Sequence, residues 1–262
     1  MKIRILGCHG SDLSQPGKTS SVVFRSMGFV INDALLLDAG TAASGLTLEE
    51  QQRIRYVVLS HLHLDHIKEL PALAVNLGGL IDHQIVVAGL QSILNGLKAH
   101  IFNNIVLPDF FVLPTPRRPI FRELALEPHR PHMFGELKIT AIPVDHSVPS
   151  VGFIVEDGQS SWVLSGDTYA TEALWVRAAA LSNLKMACIE TSFPDEMTEL
   201  AQTSKHLTPR LLAREFDKLK NPHLPLYAYH LKPAFRERII DQLAALDLPT
   251  LDVLHEGQVI TL

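Results

Sequence analysis

Hydrophobic and polar positions change period several times along the chain. Lys2–Leu6, Val22–Phe24, Phe29–Ile31, Ala34–Asp38 and Tyr56–Ser60 are short apolar or alternating runs bounded by Gly, Ser and Asn-Asp, which predicts strands. Asn32-Asp33, between two such runs, predicts a hairpin turn. From His66 to Leu80 the spacing of Ile67, Leu70, Leu73, Ala74 and Leu77 predicts one helix, with Gly78-Gly79 as its stop. A strand over Ile85–Ala88 and a helix over Gln91–Phe102 follow. Strands are then predicted at Leu137–Val144, Val151–Glu156, Ser161–Ser165, Lys185–Glu190, Leu226–Tyr229 and Leu251–Leu254. Helices are predicted at Thr171–Leu181, Pro209–Leu219 and Ala234–Ala245. Two clusters of strands, each followed by helices, point to a mixed α+β architecture with the helices outside. No repeat or linker divides residues 1–262, so a single domain is expected.

Pro108–Pro131 breaks the pattern. It carries six prolines (Pro108, Pro114, Pro116, Pro119, Pro128 and Pro131) and a basic group of Arg117, Arg118, Arg122 and Arg130. It reads either as a solvated surface loop or as an insertion facing the substrate, since long irregular connections often carry function. On the second reading Arg117 and Arg118 contact substrate.

Composition narrows the classes. A chain of 262 residues, 47% hydrophobic and 19% charged, suits a compact core that needs no disulfides. The net charge of −5 and 6% aromatics disfavour bulk nucleic-acid binding. Cys8 and Cys188 stand far apart with no CxxC pairing, which favours a reducing compartment and the role of buried small hydrophobes. With no signal-peptide pattern and no apolar run of membrane-spanning length, the cytoplasm is the expected location and no membrane partner is expected. The thirteen histidines are the unusual count, and they direct attention to metal chemistry.

His61-Leu62-His63-Leu64-Asp65-His66 closes the run Tyr56–Ser60 and opens a helix. Imidazoles two residues apart at a strand end can converge on one cation, and Asp65 and His66 can address a second beside it. These are ligands that Zn²⁺ accepts, as do Mn²⁺ and Fe²⁺. One segment cannot complete two coordination spheres. His146, Asp167 and His230 each follow an apolar run, where strand ends form a common rim, and Gly166 before Asp167 permits close backbone approach. Seven candidate ligands exceed one tetrahedral site.

The order HLHLDH, His146, Ser-Gly-Asp167 and His230 resembles the metallo-β-lactamase superfamily, as does the Asp38-Ala39-Gly40 turn. The resemblance implies the αββα sandwich, two mixed sheets between layers of helices, with a dinuclear site at one edge. It implies His61, His63 and His146 on one metal, Asp65, His66 and His230 on the other, and Asp167 bridging both. Within the superfamily, Ser60–Ile67, Glu190-Thr-Ser-Phe-Pro194, Ser204-Lys-His-Leu-Thr-Pro209, Tyr229-His-Leu-Lys-Pro233 and His100-Ile-Phe-Asn-Asn104 with Pro108-Asp109 are similar to the class II cyclic-nucleotide phosphodiesterases.

That similarity implies hydrolysis of a 3′,5′-cyclic nucleotide, foremost cAMP, to the 5′-monophosphate. Two divalent ions, foremost Zn²⁺, would serve as cofactors. Asp65 and Asp167 would orient the water, and Lys232 and Asn103 would contact the substrate. His206 precedes Leu207-Thr208-Pro209, and Pro209 suits the first turn of a helix. Its imidazole is therefore a candidate general acid for the departing ribose oxygen, against the alternative of a surface histidine beside Lys205. His9 and Ser20-Ser21, in a Gly-rich loop with Gly7, Gly10 and Gly17, could reach the site. A homodimer is compatible with this reading. Other readings are an RNase Z-like phosphodiesterase on RNA, a thioester or lactone hydrolase, and a non-catalytic metal-binding or ligand-sensing protein. RNA is the weaker substrate because no strongly basic arm is present.

Overall fold

The structure is a computed structural model, and it describes residues 1–15 and 22–262. In chain order the elements are β1 (Lys2–Gly7), β2 (Leu13–Gln15), β3 (Val22–Phe24), β4 (Gly28–Ile31), β5 (Leu35–Leu37), α1 (Leu48–Gln51), β6 (Tyr56–Val58), α2 (Leu64–Ile67), α3 (Leu70–Leu77), β7 (Ile85–Gly89) and α4 (Gln91–His100). Next come β8 (Pro114–Thr115), β9 (Arg118–Pro119), β10 (Phe121–Ala125), β11 (Pro131–Phe134), β12 (Leu137–Pro143), β13 (Val151–Glu156) and β14 (Ser161–Leu164). The last third holds α5 (Ala173–Ala179), β15 (Leu184–Glu190), α6 (Thr198–Ser204), α7 (Pro209–Asp217), β16 (Leu226–Tyr229), α8 (Arg236–Ala244), β17 (Leu251–Val253) and β18 (Val259–Thr261).

Two seven-stranded mixed sheets result, in the orders β10-β7-β6-β5-β4-β1-β18 and β11-β12-β13-β14-β15-β16-β17. Side chains alternate across each strand, so each sheet has two faces to bury. Leu35, Leu37 and Val58 of the first sheet meet Phe153, Trp162 and Cys188 of the second in a core between the sheets. Leu36 and Val57, pointing the other way, pack under Leu70, Leu73, Leu94 and Leu97 of α3 and α4. On the far side Ile154 and Val163 pack under Trp175, Leu212 and Ile239 of α5, α7 and α8. This is the expected αββα sandwich. Among the described residues no helix is long and apolar enough to cross a membrane.

Three sequence expectations change. The helix expected over His66–Leu80 is two helices, α2 and α3, with α2 starting at Leu64. Pro71 sits in the first turn of α3, where its missing N–H costs least, so α3 starts afresh at Leu70. Pro108–Pro131 is less irregular than its prolines suggest, because Phe121–Ala125 pairs in parallel with β7 and becomes the sheet's edge strand. A final strand, β18, follows the one expected to be last and pairs with β1. Asn32 and Asp33 do form the β4–β5 turn, both with positive φ (49° and 57°).

Glu69, ahead of α3, ties down the loop that leads away from Asp38. Its carboxylate accepts from the backbone N–H groups of Ala42 and Ser44, both at 2.8 Å, and from the Ser44 hydroxyl at 2.7 Å. Burial pushes its carboxyl up, but these hydrogen bonds outweigh burial and hold it below its usual value. A lowered folded-state pKa gives stability that is present above the ordinary value of about 4.3 and is lost as pH falls through the folded value. Glu69→Gln is therefore expected to lower stability at neutral pH by roughly 1–3 kcal/mol, the range for hydrogen bonds to a charged group. The gap to wild type should close in acid. A gap in thermal melts that is the same at both pH values would refute the charge as its cause.

Candidate metal centre

Strand direction explains why distant residues meet. β12, β14, β15 and β16 all run the same way: β12 and β14 are each antiparallel to β13, and β14, β15 and β16 are mutually parallel. Their C-terminal ends therefore lie along one edge of the second sheet. His146 follows β12, Asp167 follows β14, Glu190 ends β15 and His230 follows β16. In the first sheet β5, β6 and β7 are parallel, and Asp38 and His61 follow the first two of them. The turns after the strands are tight. Asp38, Gly166 and His230 have φ of 57°, 63° and 64°. A side chain at Gly166 would put its Cβ 2.4 Å from the Val151 carbonyl oxygen, so only glycine fits before Asp167.

The HLHLDH side chains converge with the rim. His61, His63, His146 and Asp167 present ligand atoms within 4.8 Å of one another, and Asp65, His66, Asp167 and His230 do the same. In the first group His61 Nε2 is 3.0 Å from His63 Nδ1, which is 3.2 Å from His146 Nε2. In the second, His230 Nε2 lies 3.4 Å from His66 Nε2, 3.3 Å from Asp65 Oδ2 and 3.2 Å from Asp167 Oδ2. A tetrahedral ion with bonds of ~2.0–2.1 Å separates its ligand atoms by about 3.3 Å. Asp167 belongs to both groups. Its Oδ1 is buried without a hydrogen-bond partner among the described residues. A carboxylate with Oδ2 among imidazoles of both sets and Oδ1 orphaned is what a shared cation would satisfy. The residues fit a dinuclear site.

Hydrogen bonds behind the clusters fix which nitrogen faces inward. His66 Nδ1 donates to Asp38 at 2.7 Å, and the same carboxylate accepts from the Ser60 N–H and hydroxyl, both at 2.8 Å. His146 Nδ1 donates to the Lys205 carbonyl at 3.0 Å, and His230 Nδ1 meets the Ser192 hydroxyl at 2.9 Å. Burial pushes the imidazole pKa values of His61, His63 and His146 down, favouring the neutral form that binds metal. Burial also lowers His66, but Asp167 and Asp38 outweigh it and hold it well above the ordinary value; a bound divalent cation would compete with that proton. Burial would raise Asp65, yet the hydrogen bond to His230 and the charges of His66 and His230 keep it below the carboxylate range.

His206 lies against this cluster. Its ring is 5.1 Å from His146 and stacked 5.4 Å from His230, centroid to centroid. Nδ1 donates to the fully buried Glu190 at 2.7 Å. Burial lowers the His206 pKa, but Glu190 outweighs it and leaves the imidazole raised. The sequence reading missed Glu190 and Asp38 as orienting groups. Their signal was available: each is an acidic residue at the end of an apolar run, as Asp167 is.

The substrate contacts fare unevenly. Lys232, two residues beyond His230, donates its ammonium to the Gly10 carbonyl at 3.0 Å beside the site. Arg117, Arg118 and Asn103 are elsewhere, which corrects the expectation that these three residues contact substrate. Arg117 and Arg118 precede β10, whose parallel pairing with β7 puts its start at the edge opposite the metal rim, and Arg118 donates to the Asp82 carbonyl there. The Asn103 carboxamide is used locally, donating to Ala99 and accepting from Ile105 and Val106 at the end of α4. His9 is buried and bound to Glu256 at 3.0 Å. Gly17 and Ser20-Ser21 lie outside the described residues.

Residues 34–227 match the beta-lactamase superfamily domain family. The chain belongs to that superfamily. Among solved structures this member resembles unliganded yeast PDE1 (19% identity, 100% of this chain and 99% of that one, TM-score 0.79). It also resembles the metallo-beta-lactamase fold protein YhfI from Bacillus subtilis (17%, 99% of both chains, 0.76). Human tRNase Z, short form, is similar as well (17%, 100% and 99%, 0.66). At these identities the likeness shows the shared fold. No curated protein sequence gives a significant match. As a superfamily hydrolase, this chain carries His/Asp clusters suited to two metal ions at the edge where the two sheets meet.

Proposed function

We propose that the protein is a dinuclear metal-dependent phosphodiesterase that opens 3′,5′-cyclic nucleotides, with cAMP as the foremost substrate and Zn²⁺ as the foremost metal. The observation that carries the reading is the buried Glu190–His206 pair stacked on His230. Lactone or thioester hydrolysis has less need of such a pair, because a ribose alkoxide is a poor leaving group until protonated. Likeness to yeast PDE1, a class II cAMP phosphodiesterase, supports the same reading.

His61, His63, His146 and Asp167 would hold one ion, and Asp65, His66, His230 and Asp167 the other. When bound, two divalent ions supply an acidified water and a clamp on the phosphoryl oxygens. The chain's own groups do the rest. Asp65, partly exposed beside Asp167, orients the attacking water. Lys232 offsets phosphate charge. His206, its Nδ1–H held by Glu190, delivers the Nε2 proton to the departing ribose oxygen. A small nucleotide suits an acidic chain, and no nucleic-acid or membrane partner is invoked.

Elemental analysis and a substrate panel test the reading. Protein purified without chelator should carry about two equivalents of divalent metal, the number that seven ligand residues imply. It should turn over cAMP and bis-p-nitrophenyl phosphate faster than a lactone or short RNA. Metal content near zero that added metal does not raise would overturn the dinuclear site. Two metals with RNA or lactone as the better substrate would overturn the cyclic-nucleotide assignment.

A further inference from the structure

A cavity of about 440 Å³ lies at the start of α8, walled by Phe24, Pro233, Phe235 and the charged side chains of Arg236, Glu237, Arg238 and Asp241. Side-chain contacts link two of its walls, Phe24 and Phe235, to the residues of the site. Gly10 lies against the His230 ring, where an added Cβ would be 2.9 Å from Cε1. The His9 ring, just before it, lies tilted against Phe24, 4.8 Å between centroids. Phe235 is 6.1 Å from Phe193, whose ring is 5.9 Å from His206. The cavity thus begins one residue beyond Lys232, at a volume typical of small-molecule sites, roughly 300–1,000 Å³.

Arg236 is the unusual lining residue. Its guanidinium is 5.6 Å from the centre of the Phe24 ring. Among the described residues its buried Nε has no hydrogen-bond partner and its guanidinium no ion-pair partner. Arg238, two residues on, is by contrast paired with Glu196 at 2.8 Å. A guanidinium carries five donors in a planar fork, and with no partner among the described residues its outer nitrogens are left to water or to a ligand in the cavity.

We propose that this cavity is the base subsite of the same active site, and that Arg236 selects purine cyclic nucleotides by donating to the ring nitrogen N7. The inference rests on the cyclic-nucleotide reading above. Adenine and guanine both present N7 as an acceptor, whereas cytosine presents an amino donor on that edge, which a guanidinium cannot accept. Held against Phe24, the guanidinium also offers a flat surface on which a purine can stack.

The test compares kcat/KM on cAMP, cGMP, cyclic CMP and the base-free bis-p-nitrophenyl phosphate. Wild type should prefer both cyclic purines to cyclic CMP. In Arg236→Ala, and in Arg236→Met, which keeps an unbranched apolar stem against Phe24, both cyclic purines should lose at least about tenfold more than bis-p-nitrophenyl phosphate. The preference over cyclic CMP should narrow accordingly. Melting temperatures identify a variant that has failed to fold, and the wild-type preference then still decides. Equal losses on all substrates, or a wild type indifferent to the base, would overturn the subsite while leaving phosphodiesterase activity intact. A wild type that cleaves bis-p-nitrophenyl phosphate but no cyclic nucleotide would overturn both readings.

Discussion

Asp167→Ala is expected to leave less than about a tenth of wild-type kcat, a barrier increase above 1.4 kcal/mol, and to bring metal content below two equivalents. Asp167 Oδ2 is 3.7 Å from His61, 3.4 Å from His66 and 3.2 Å from His230, so one carboxylate serves both ligand groups. Burial would raise its carboxyl, but the charges of His230 and His66 hold it well below the usual range. It therefore stays ionised through neutral and mildly acid pH. Acid loss of metal should accordingly follow the imidazoles rather than Asp167. The fold should survive in Asp167→Ala, because the three buried clusters around the sheets lie away from the rim and supply the bulk of apolar burial. Near-native circular dichroism with metal lost is the expected pair of results. A variant that keeps both metals, or more than a tenth of kcat, would show that Asp167 does not bridge.

The two candidate ligand groups could be assembled from the sequence because the HLHLDH segment, His146, Asp167 and His230 each follow an apolar run, and strand ends on one edge of a parallel sheet have few directions in which to point. β13 and β16 were delimited in full for a related reason: they are bounded by polar turns and buried along most of their length. Arg117 and Arg118 were misread because their placement depends on register, and Asn103 because its carboxamide is spent on the turn that ends α4. Whether Phe121–Ala125 pairs with β7, and in which direction, leaves no local signal, yet it decides which edge Arg118 occupies. β18 was missed because Val259–Thr261 is short and mostly exposed, and its pairing with β1 is a contact across the whole chain. The break between α2 and α3 had a local sign in Pro71. The apolar period running through it concealed the break, since both helices bury the same side. Glu190 and Asp38 show the converse: their positions were predictable, but their hydrogen bonds to His206 and His66 exist only once the sheets are assembled.

His206 is where the proposed mechanism is most exposed to test. If its Nε2 proton goes to the leaving group, its removal should hurt in proportion to how much that group needs a proton. A ribose oxygen needs one; p-nitrophenolate, already a stable anion, does not. His206→Ala should therefore lower kcat on a cyclic nucleotide by roughly 10²–10⁴-fold, the usual worth of general acid catalysis. The loss on bis-p-nitrophenyl phosphate should be at least tenfold smaller, about 1.4 kcal/mol of differential barrier. Glu190→Gln should reproduce part of the same discrimination, because its carboxylate both orients His206 at 2.7 Å and raises its pKa. Metal content should hold in His206→Ala, since the ring stacks on His230 and belongs to neither of the two groups that share Asp167. Glu190, His206 and His230 do approach one another as a third group of potential ligands. Loss of a metal in His206→Ala would therefore mean that His206 is itself a ligand. Equal losses on both substrates with metals retained would mean that it stabilises phosphate charge rather than delivering a proton.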